Sequence, residues 1–224
     1  MASRKRSTVS SGKPLVPARR GPTPRGVATA EAVRAVPSSK RSSLASPSLS
    51  DPLKYAKELI RDVPNFPRDG ILFRDITPLL ADPRGFHITL DAMAERFVGE
   101  HADAIVAVES RGFIFGGALA ARLNASFVPV RKPGKLPAAT DRVSYALEYG
   151  EGELEMHRDA LTAGARAIIV DDLLATGGTA AAAGELVRRQ GASVHAYAFI
   201  IELDALGGRS RLNPTPIVSL IRYS

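Results

Sequence analysis

The stretch Ala167 to Thr179, Ala-Ile-Ile-Val-Asp-Asp-Leu-Leu-Ala-Thr-Gly-Gly-Thr, leaves few folds open to this chain. Its first residues are apolar and mostly β-branched, which predicts a strand over Ala167–Val170 buried on both faces of a parallel sheet. Two carboxylates follow where that strand should end. Open α/β sheets bind ligands at the carboxyl ends of their strands, so Asp171 and Asp172 fall where a ligand would lie. Ala175, Thr176, Gly177, Gly178 and Thr179 are small or hydroxylated and run into Ala180–Gln190, a good helix former. Such a loop offers backbone N–H groups, hydroxyls and a favourable helix dipole to a phosphate. An acidic pair beside a phosphate cradle describes a ligand carrying both hydroxyls and a phosphate. A ribose 5-phosphate meets that description.

No Lys follows the glycines, so this is not a Walker loop, and the G-x-G-x-x-G dinucleotide turn is absent from it. A lone Asp-Asp or Gly-Gly would be read as an ordinary strand, capped turn and helix. The whole string resembles the phosphoribosyl pyrophosphate (PRPP) signature of the type I phosphoribosyltransferases. That resemblance implies an α/β fold: a central, mostly parallel sheet flanked by helices, with a small N-terminal hood and a flexible β-hairpin lid. It also implies that Asp171 and Asp172 bind the ribose hydroxyls, that residues 175–179 bind the 5-phosphate, and that Leu173 contacts the base.

Composition divides the chain in two. Its formal charge of +7 suggests a nucleic-acid partner until it is split by position. Residues 1–50 carry ten Lys or Arg against the single acid Glu31, whereas residues 51–224 carry twenty bases and twenty-two acids. The basicity belongs to the tail, and nucleic acid is not an expected partner of the rest. Residues 1–50 are rich in Ser, Pro, Arg and Ala without an aromatic residue, a composition unable to offset the entropy of ordering, so disorder is expected there. The same composition matches an organelle transit peptide, and a non-functional extension is the alternative. A cytoplasmic protein is expected, with organelle targeting through this extension as the other reading. The chain has no cysteine, which excludes disulfides and thiolate metal sites, and no run of the ~18 apolar residues that a membrane span needs. His87, His101, His157 and His195 are scattered without metal-ligand spacing.

From Asp51 the composition is that of one globular domain running to residue 224. Asp51-Pro52 caps a helix whose stripe of Leu53, Ala56, Leu59 and Ile60 predicts a run to about Asp62. Val63 to Pro78 holds three prolines and a Gly, which predicts a fixed irregular loop. Asp82-Pro83 opens a second helix burying Phe86, Ile88, Leu90, Met93, Ala94 and Phe97. Ala104–Val108 reads as a buried strand ending in Glu109-Ser110-Arg111-Gly112, with a helix to Leu123, so a second set of turn amides and a guanidinium stands at a strand end for an anion. Ser126–Val130 is a third strand. Arg131 to Pro137 is a flexible cationic loop, suited to charge on a leaving group or to plain solvation. Ser144 to Met156 alternates around a Gly-x-Gly turn and reads as an exposed hairpin able to shield a site from water. Ser193–Ile201 and Pro216–Leu220 complete the strands. Strands alternating with helices predict a sheet covered on both faces.

These segments extend the resemblance, which covers residues 51–224, toward the members of the family that act on adenine. It implies that Leu72 and Arg74 offer backbone groups to the adenine edge and that Phe73 walls the pocket. An ion-paired Arg74 in a structural loop is the other reading of that segment. By resemblance, Ser110, Arg111, Lys132 and Lys135 hold pyrophosphate, Glu148 is the general acid toward the base, and Tyr149 closes the lid. Glu109 stands where the family more often has Asp, and Pro133 where a base is frequent. The implied reaction joins adenine to PRPP, giving AMP and pyrophosphate, with Mg²⁺ held mainly by PRPP and water and with a homodimer as the assembly. An oxopurine-specific relative or a non-catalytic PRPP sensor are the competing readings.

Overall fold

The computed structural model describes residues 51–146 and 151–224. The expectations for residues 1–50 and for Leu147, Glu148, Tyr149 and Gly150 lie outside the described residues.

Helix α1 (Pro52–Glu58) is closed by the Asp51 carboxylate, which accepts from the amides of Leu53 at 3.0 Å and Lys54 at 3.3 Å. It stops short of the expected Asp62. Arg61 and Asp62 belong instead to β1 (Arg61–Pro64), which pairs antiparallel with β2 (Leu72–Asp75). The prolines thus punctuate a ribbon and not, as expected, an irregular loop. Opposite charges face each other across it, Arg61 on Asp75 at 2.5 Å and Arg74 on Asp62, and such cross-strand pairs favour the strand. Pro64 closes β1, Pro67 follows a cis peptide in the turn, and Pro78 opens the short α2 (Thr77–Ala81). In α3 (Pro83–Glu95), capped by Asp82, Leu90 and Met93 are buried together with Phe97 just beyond the helix; Phe86, Ile88 and Ala94 are half-buried against the same core.

The remaining chain builds the sheet: β3 (Ala104–Val108), α4 (Gly112–Leu123), β4 (Ser126–Val130), β5 (Thr140–Ala146), β6 (Glu151–His157), β7 (Arg166–Leu174), α5 (Gly178–Arg189), β8 (Ser193–Leu203), α6 (Gly208–Leu212) and β9 (Ile217–Tyr223). Five strands run parallel in the order β4-β3-β7-β8-β9. From β3 the chain moves outward to β4 and then returns to β7 on the other side. The strand order therefore reverses between β3 and β7, the position where open sheets of this kind hold ligands.

Alternation along the central strands supplies two cores. Ala167 and Ile169 of β7 point into a cluster built from α5, β5 and β6, while Ile168 and Val170 point into one built from α1, α3 and α4. The β5–β6 pair is not the exposed hairpin that its polar sequence suggests. Val143, Leu154 and Met156 fall on its inner face and are buried against α5.

Asp75 ties the ribbon to α2 by accepting from the Thr77 amide at 2.8 Å and the Thr77 hydroxyl at 2.6 Å. These bonds, with Arg61 beside them, lower its pKa to about 2. A depressed carboxyl stabilises the fold above its unfolded pKa, and that contribution disappears as pH falls through the folded value. Asp75→Ala is expected to cost about 1 kcal/mol at neutral pH, as loss of a helix cap does. Urea midpoints measured at pH 7 and near pH 2 should show that gap closing in acid.

Candidate active site

Two strand ends of unequal length make the site. β3 pairs with β7 only as far as Ala107 opposite Val170, whereas β7 continues along β8 to Leu174 opposite Glu202. Asp171 and Asp172 thus lie within the strand, past the expected end at Val170, yet beyond the last residue of β3 that pairs with it. One edge of this segment is held by β8 and the other opens into a cleft of about 1030 Å³. The turn after β3 enters the same notch. The Glu109–Ser110 peptide is cis, and Gly112 brings α4 so close that a Cβ there would lie 2.9 Å from both the Val170 carbonyl oxygen and Asp171 Oδ1.

Arg111 Nε sits 2.9 Å from Asp172 Oδ2, and its guanidinium lies over the Phe73 ring at 5.2 Å. Asp171 accepts from the Asp172 amide at 2.9 Å. Burial pushes the Asp171 carboxyl well above the ordinary carboxylate range, and the adjacent Asp172 charge adds to this. Burial also raises Asp172, with Arg111 acting against it. Neither α4 nor α5 has a side-chain hydrogen bond closing its first turn; in α4 the amides of Phe113 and Ile114 bond the Ser110 and Arg111 carbonyls instead.

The cationic loop is held more firmly than its charge run suggests. Arg131 donates to Glu109 at 2.7 Å, and the Lys132 amide donates to the same carboxylate at 2.9 Å. Burial opposes ionisation of Glu109, but these two donors hold it below its usual range. The Gly134 amide donates to Glu155 at 3.0 Å, and the backbones of Arg131 and Glu155 exchange bonds of 2.9 and 2.7 Å. This tethering corrects the expectation of a flexible loop. Lys132 and Lys135 line the cleft with no ion-pair partner among the described residues.

After β7 the chain turns through Gly177 at φ 79°, a left-handed conformation that favours glycine. Asp171 and residues 173–180 line a recess of about 70 Å³ beside the main cleft, the two sharing Asp171 and Thr179. The start of α6 presses on this turn from behind. A Cβ on Gly208 would lie 2.2 Å from the Ala175 carbonyl oxygen, and one on Gly177 would lie 2.6 Å from the Gly208 carbonyl oxygen.

Of the residues singled out in the sequence, Phe73, Ser110, Arg111, Lys132, Lys135, Asp171, Asp172 and Thr179 line the cleft. Leu173, Ala175, Thr176, Gly177 and Gly178 line the recess. Leu72 and Arg74 do not line the cleft. Arg74 pairs with Asp62, stacks on Tyr223 at 3.9 Å and borders a separate cavity of about 320 Å³. Glu148 and Tyr149 lie outside the described residues. Sequence reasoning missed Tyr145 and Leu154, which also line the cleft, and Gly208 behind it. The Tyr145 and Leu154 alternation was a usable signal; Gly208 had none, because its contact is backbone to backbone across the fold. Among the described residues no group of three or more His, Cys, Asp or Glu could hold a metal by itself.

Two substitutions test this geometry. A carboxyl whose folded pKa is raised costs stability when ionised, and the cost is absent below its unfolded pKa. Asp171→Asn is therefore expected to raise the melting temperature at pH 7 and to lose that advantage near pH 4, as differential scanning calorimetry at the two pH values would show. Gly208→Ala forces a methyl against the turn and should destabilise by about 1–3 kcal/mol, read as a lower urea midpoint at pH 7.

The Phosphoribosyl transferase domain family model matches residues 79–215 of the chain, a span containing both strand ends. Adenine phosphoribosyltransferase of Sorangium cellulosum is 66% identical over 177 residues, covering 77% of this chain and 88% of that protein. The crystal structure of adenine phosphoribosyltransferase from Thermoanaerobacter pseudethanolicus superposes with a TM-score of 0.75 at 49% identity, covering 76% of this chain and 99% of the other. The Saccharomyces cerevisiae enzyme, complexed with D-2,5-dideoxy-2,5-imino-altritol 1,6-bisphosphate and adenine, gives a TM-score of 0.72 at 45% identity, covering 77% and 99%. The fold, the paired strand-end sites and this degree of identity agree: the chain belongs to the phosphoribosyltransferase family, among the adenine phosphoribosyltransferases.

Proposed function

We propose that this chain transfers the 5-phosphoribosyl group from PRPP to adenine, forming AMP and pyrophosphate in purine salvage. One observation carries the reading: Arg111 and Asp172 stand 2.9 Å apart at the switch point of the sheet. PRPP carries a pyrophosphate on C1 beside vicinal hydroxyls on C2 and C3. A guanidinium for the first and a carboxylate for the second, held side by side, match adjacent parts of one substrate. As PRPP enters, each half of the ion pair exchanges its internal partner for a group on the sugar. The recess at residues 173–180 takes the 5-phosphate on the first amides of α5 and the hydroxyls of Thr176 and Thr179.

Phe66 and Phe73 meet edge to face, with centroids 5.1 Å apart, and wall the cleft on the ribbon side, where a planar purine is taken. The family resemblance gives the backbone of β2 at Leu72 and Arg74 the adenine edge, although of this stretch only Phe73, between them, lines the cleft, and the Arg74 side chain anchors the ribbon. The N9 of adenine attacks C1 as pyrophosphate departs, with inversion, through an oxocarbenium-like state. Arg111, Lys132 and Lys135 stabilise the charge gathering on the leaving group. Glu148 manages the base proton and Tyr149 helps exclude water, so that the sugar cation meets adenine and not hydroxide.

The described residues supply few metal ligands, Asp171 and Asp172 being the carboxylates nearest the sugar position, and this donor set suits an ion carried in on PRPP oxygens and water. Mg²⁺ bound in that way supplies charge neutralisation on the pyrophosphate. A homodimer and a cytoplasmic setting belong to the same reading and rest on family resemblance.

Pyrophosphate release from PRPP and Mg²⁺, followed with adenine, hypoxanthine, guanine and xanthine in parallel, tests the assignment. Adenine alone should support turnover, and Glu148→Gln should lower kcat by about 10²- to 10⁴-fold, the range of general acid–base catalysis. Turnover with an oxopurine would move the base specificity while leaving the PRPP site in place.

A further inference from the structure

Tyr145 is used by nothing in the mechanism above, yet its surroundings are closely specified. It is the penultimate residue of β5 and lies opposite Gly152 of β6. A Cβ on Gly152 would fall 2.7 Å from Tyr145 Cζ and 2.9 Å from its hydroxyl oxygen, so the ring lies across the glycine in the space of the missing side chain. From there the hydroxyl also reaches α5, where Thr179 Oγ1 lies 3.4 Å from it. The same strand end rests on the first residue of α5. A Cβ on Gly178 would lie 3.2 Å from the Ala146 carbonyl oxygen and 3.4 Å from Tyr145 Cδ2. At its far end α5 holds β5 again, through Arg189 Nη1 donating to the Arg142 carbonyl at 2.9 Å.

We propose that Tyr145 is a positioning residue that couples 5-phosphate binding at the α5 turn to the order of the β5–β6 hairpin. The inference rests on the reading of residues 173–180 as the phosphate site. Thr179 Oγ1 and the Tyr145 hydroxyl lie 3.4 Å apart, each has one proton, and either can donate to the other. A phosphate dianion is a stronger acceptor than a phenol, because charge-assisted hydrogen bonds are roughly twice as strong as neutral ones. With phosphate in the turn, the Thr179 proton goes to the anion and its oxygen becomes a better acceptor. Tyr145 then donates its own proton to Thr179, so the bond is held in one direction and tightens within a polarised chain. The hairpin grips the turn harder when the turn is filled. No atom of Tyr145 need touch the substrate. The coupling acts at the end of β5, three positions before Glu148 in the chain.

The test separates ligand binding from its consequence. Calorimetry measures affinity for ribose 5-phosphate, and hydrogen exchange read by mass spectrometry follows peptides covering residues 140–157, with and without saturating ligand. In the wild type, ribose 5-phosphate should slow exchange around Tyr145 and Gly152 by about 3- to 10-fold, the amount one added hydrogen bond supplies. Tyr145→Phe should bind within about 3- to 10-fold of wild type and show no slowing once saturated. Thr179→Ser, which keeps a hydroxyl, should retain the slowing, and Thr179→Val should lose it even where it can be saturated. The Thr179 pair keeps the question answerable if the Phe variant melts early. Equal slowing in saturated wild type and Tyr145→Phe overturns the inference, as does binding by the wild type without any slowing. Failure of the wild type to bind ribose 5-phosphate overturns the phosphate-site reading and this inference together.

Discussion

Everything at the site depends on withdrawing two adjacent carboxylates from water, Asp172 fully and Asp171 in part, at the end of a strand that has lost one of its neighbours. While β3 runs alongside, β7 is an apolar strand closed on both edges, and each residue sends its side chain into one core or the other. Past Val170 the β3 edge is gone, and Asp171 and Asp172 replace Ile and Val. Desolvating charge at such a place is unfavourable, and both carboxyls are driven upward as a result. What makes the arrangement tolerable is local: the Asp172 amide bonds Asp171, Arg111 pairs Asp172, and the absence of a side chain at Gly112 lets α4 close over them. A site that is uncomfortable without its substrate is one that gains most from hydroxyl donors when substrate arrives.

The turn from β7 into α5, proposed above to take the phosphate, meets a different constraint, which is rigidity. A loop that binds through backbone amides is only as good as its support, since amides have no rotamers with which to adapt. That support comes from α6, whose first residue contacts Ala175 and Gly177 main chain to main chain. The helix is fixed in turn by Arg209, bidentate on the buried Glu202 of β8 at 2.8 and 2.6 Å. Arg209 holds Glu202 below its usual pKa, and Arg222 adds a second cation. Removing one partner of such a pair leaves an uncompensated buried charge, so the ion pair that secures α6 reaches the phosphate turn through two glycines.

Much of this was legible in the sequence, for reasons that differ between elements. β3 and β4 were bounded correctly because a short β-branched run between charged or polar residues leaves little alternative. The turn into α5 was legible as a strand–turn–helix because its pattern is local: small residues, two hydroxyls and a helix follow one another in the chain. β7 was read too short because carboxylates look like strand terminators, while the pairing that keeps Leu173 and Leu174 in the strand comes from β8, which no local pattern reveals. The ribbon near the start was read as loop because prolines outweigh two charge pairs that exist only after the strands meet. Gly208 could not be read at all. A glycine needed for tertiary contact looks the same in sequence as one needed for a turn. The Arg111–Asp172 pair was anticipated as two separate substrate contacts, and their juxtaposition follows from strand order alone.

The two departures from the family pattern acquire a physical sense in the cationic loop. Glu109 reaches Arg131 Nε with one oxygen and the Lys132 amide with the other. A carboxylate one methylene shorter would have to bring the backbone closer to keep both bonds. The same loop is held from the far side by Glu155, which accepts from the Gly134 amide while itself buried against Arg142. Two acids thus fix the loop through its main chain and consume only Arg131 among its cations. Pro133 stands between the Lys132 and Gly134 amides that these acids hold, where its ring narrows the backbone choices without removing either donor. Lys132 and Lys135 thus line the cleft without an ion pair among the described residues, which is the disposition a departing polyanion requires: positive charge whose position is set by neighbours other than the substrate.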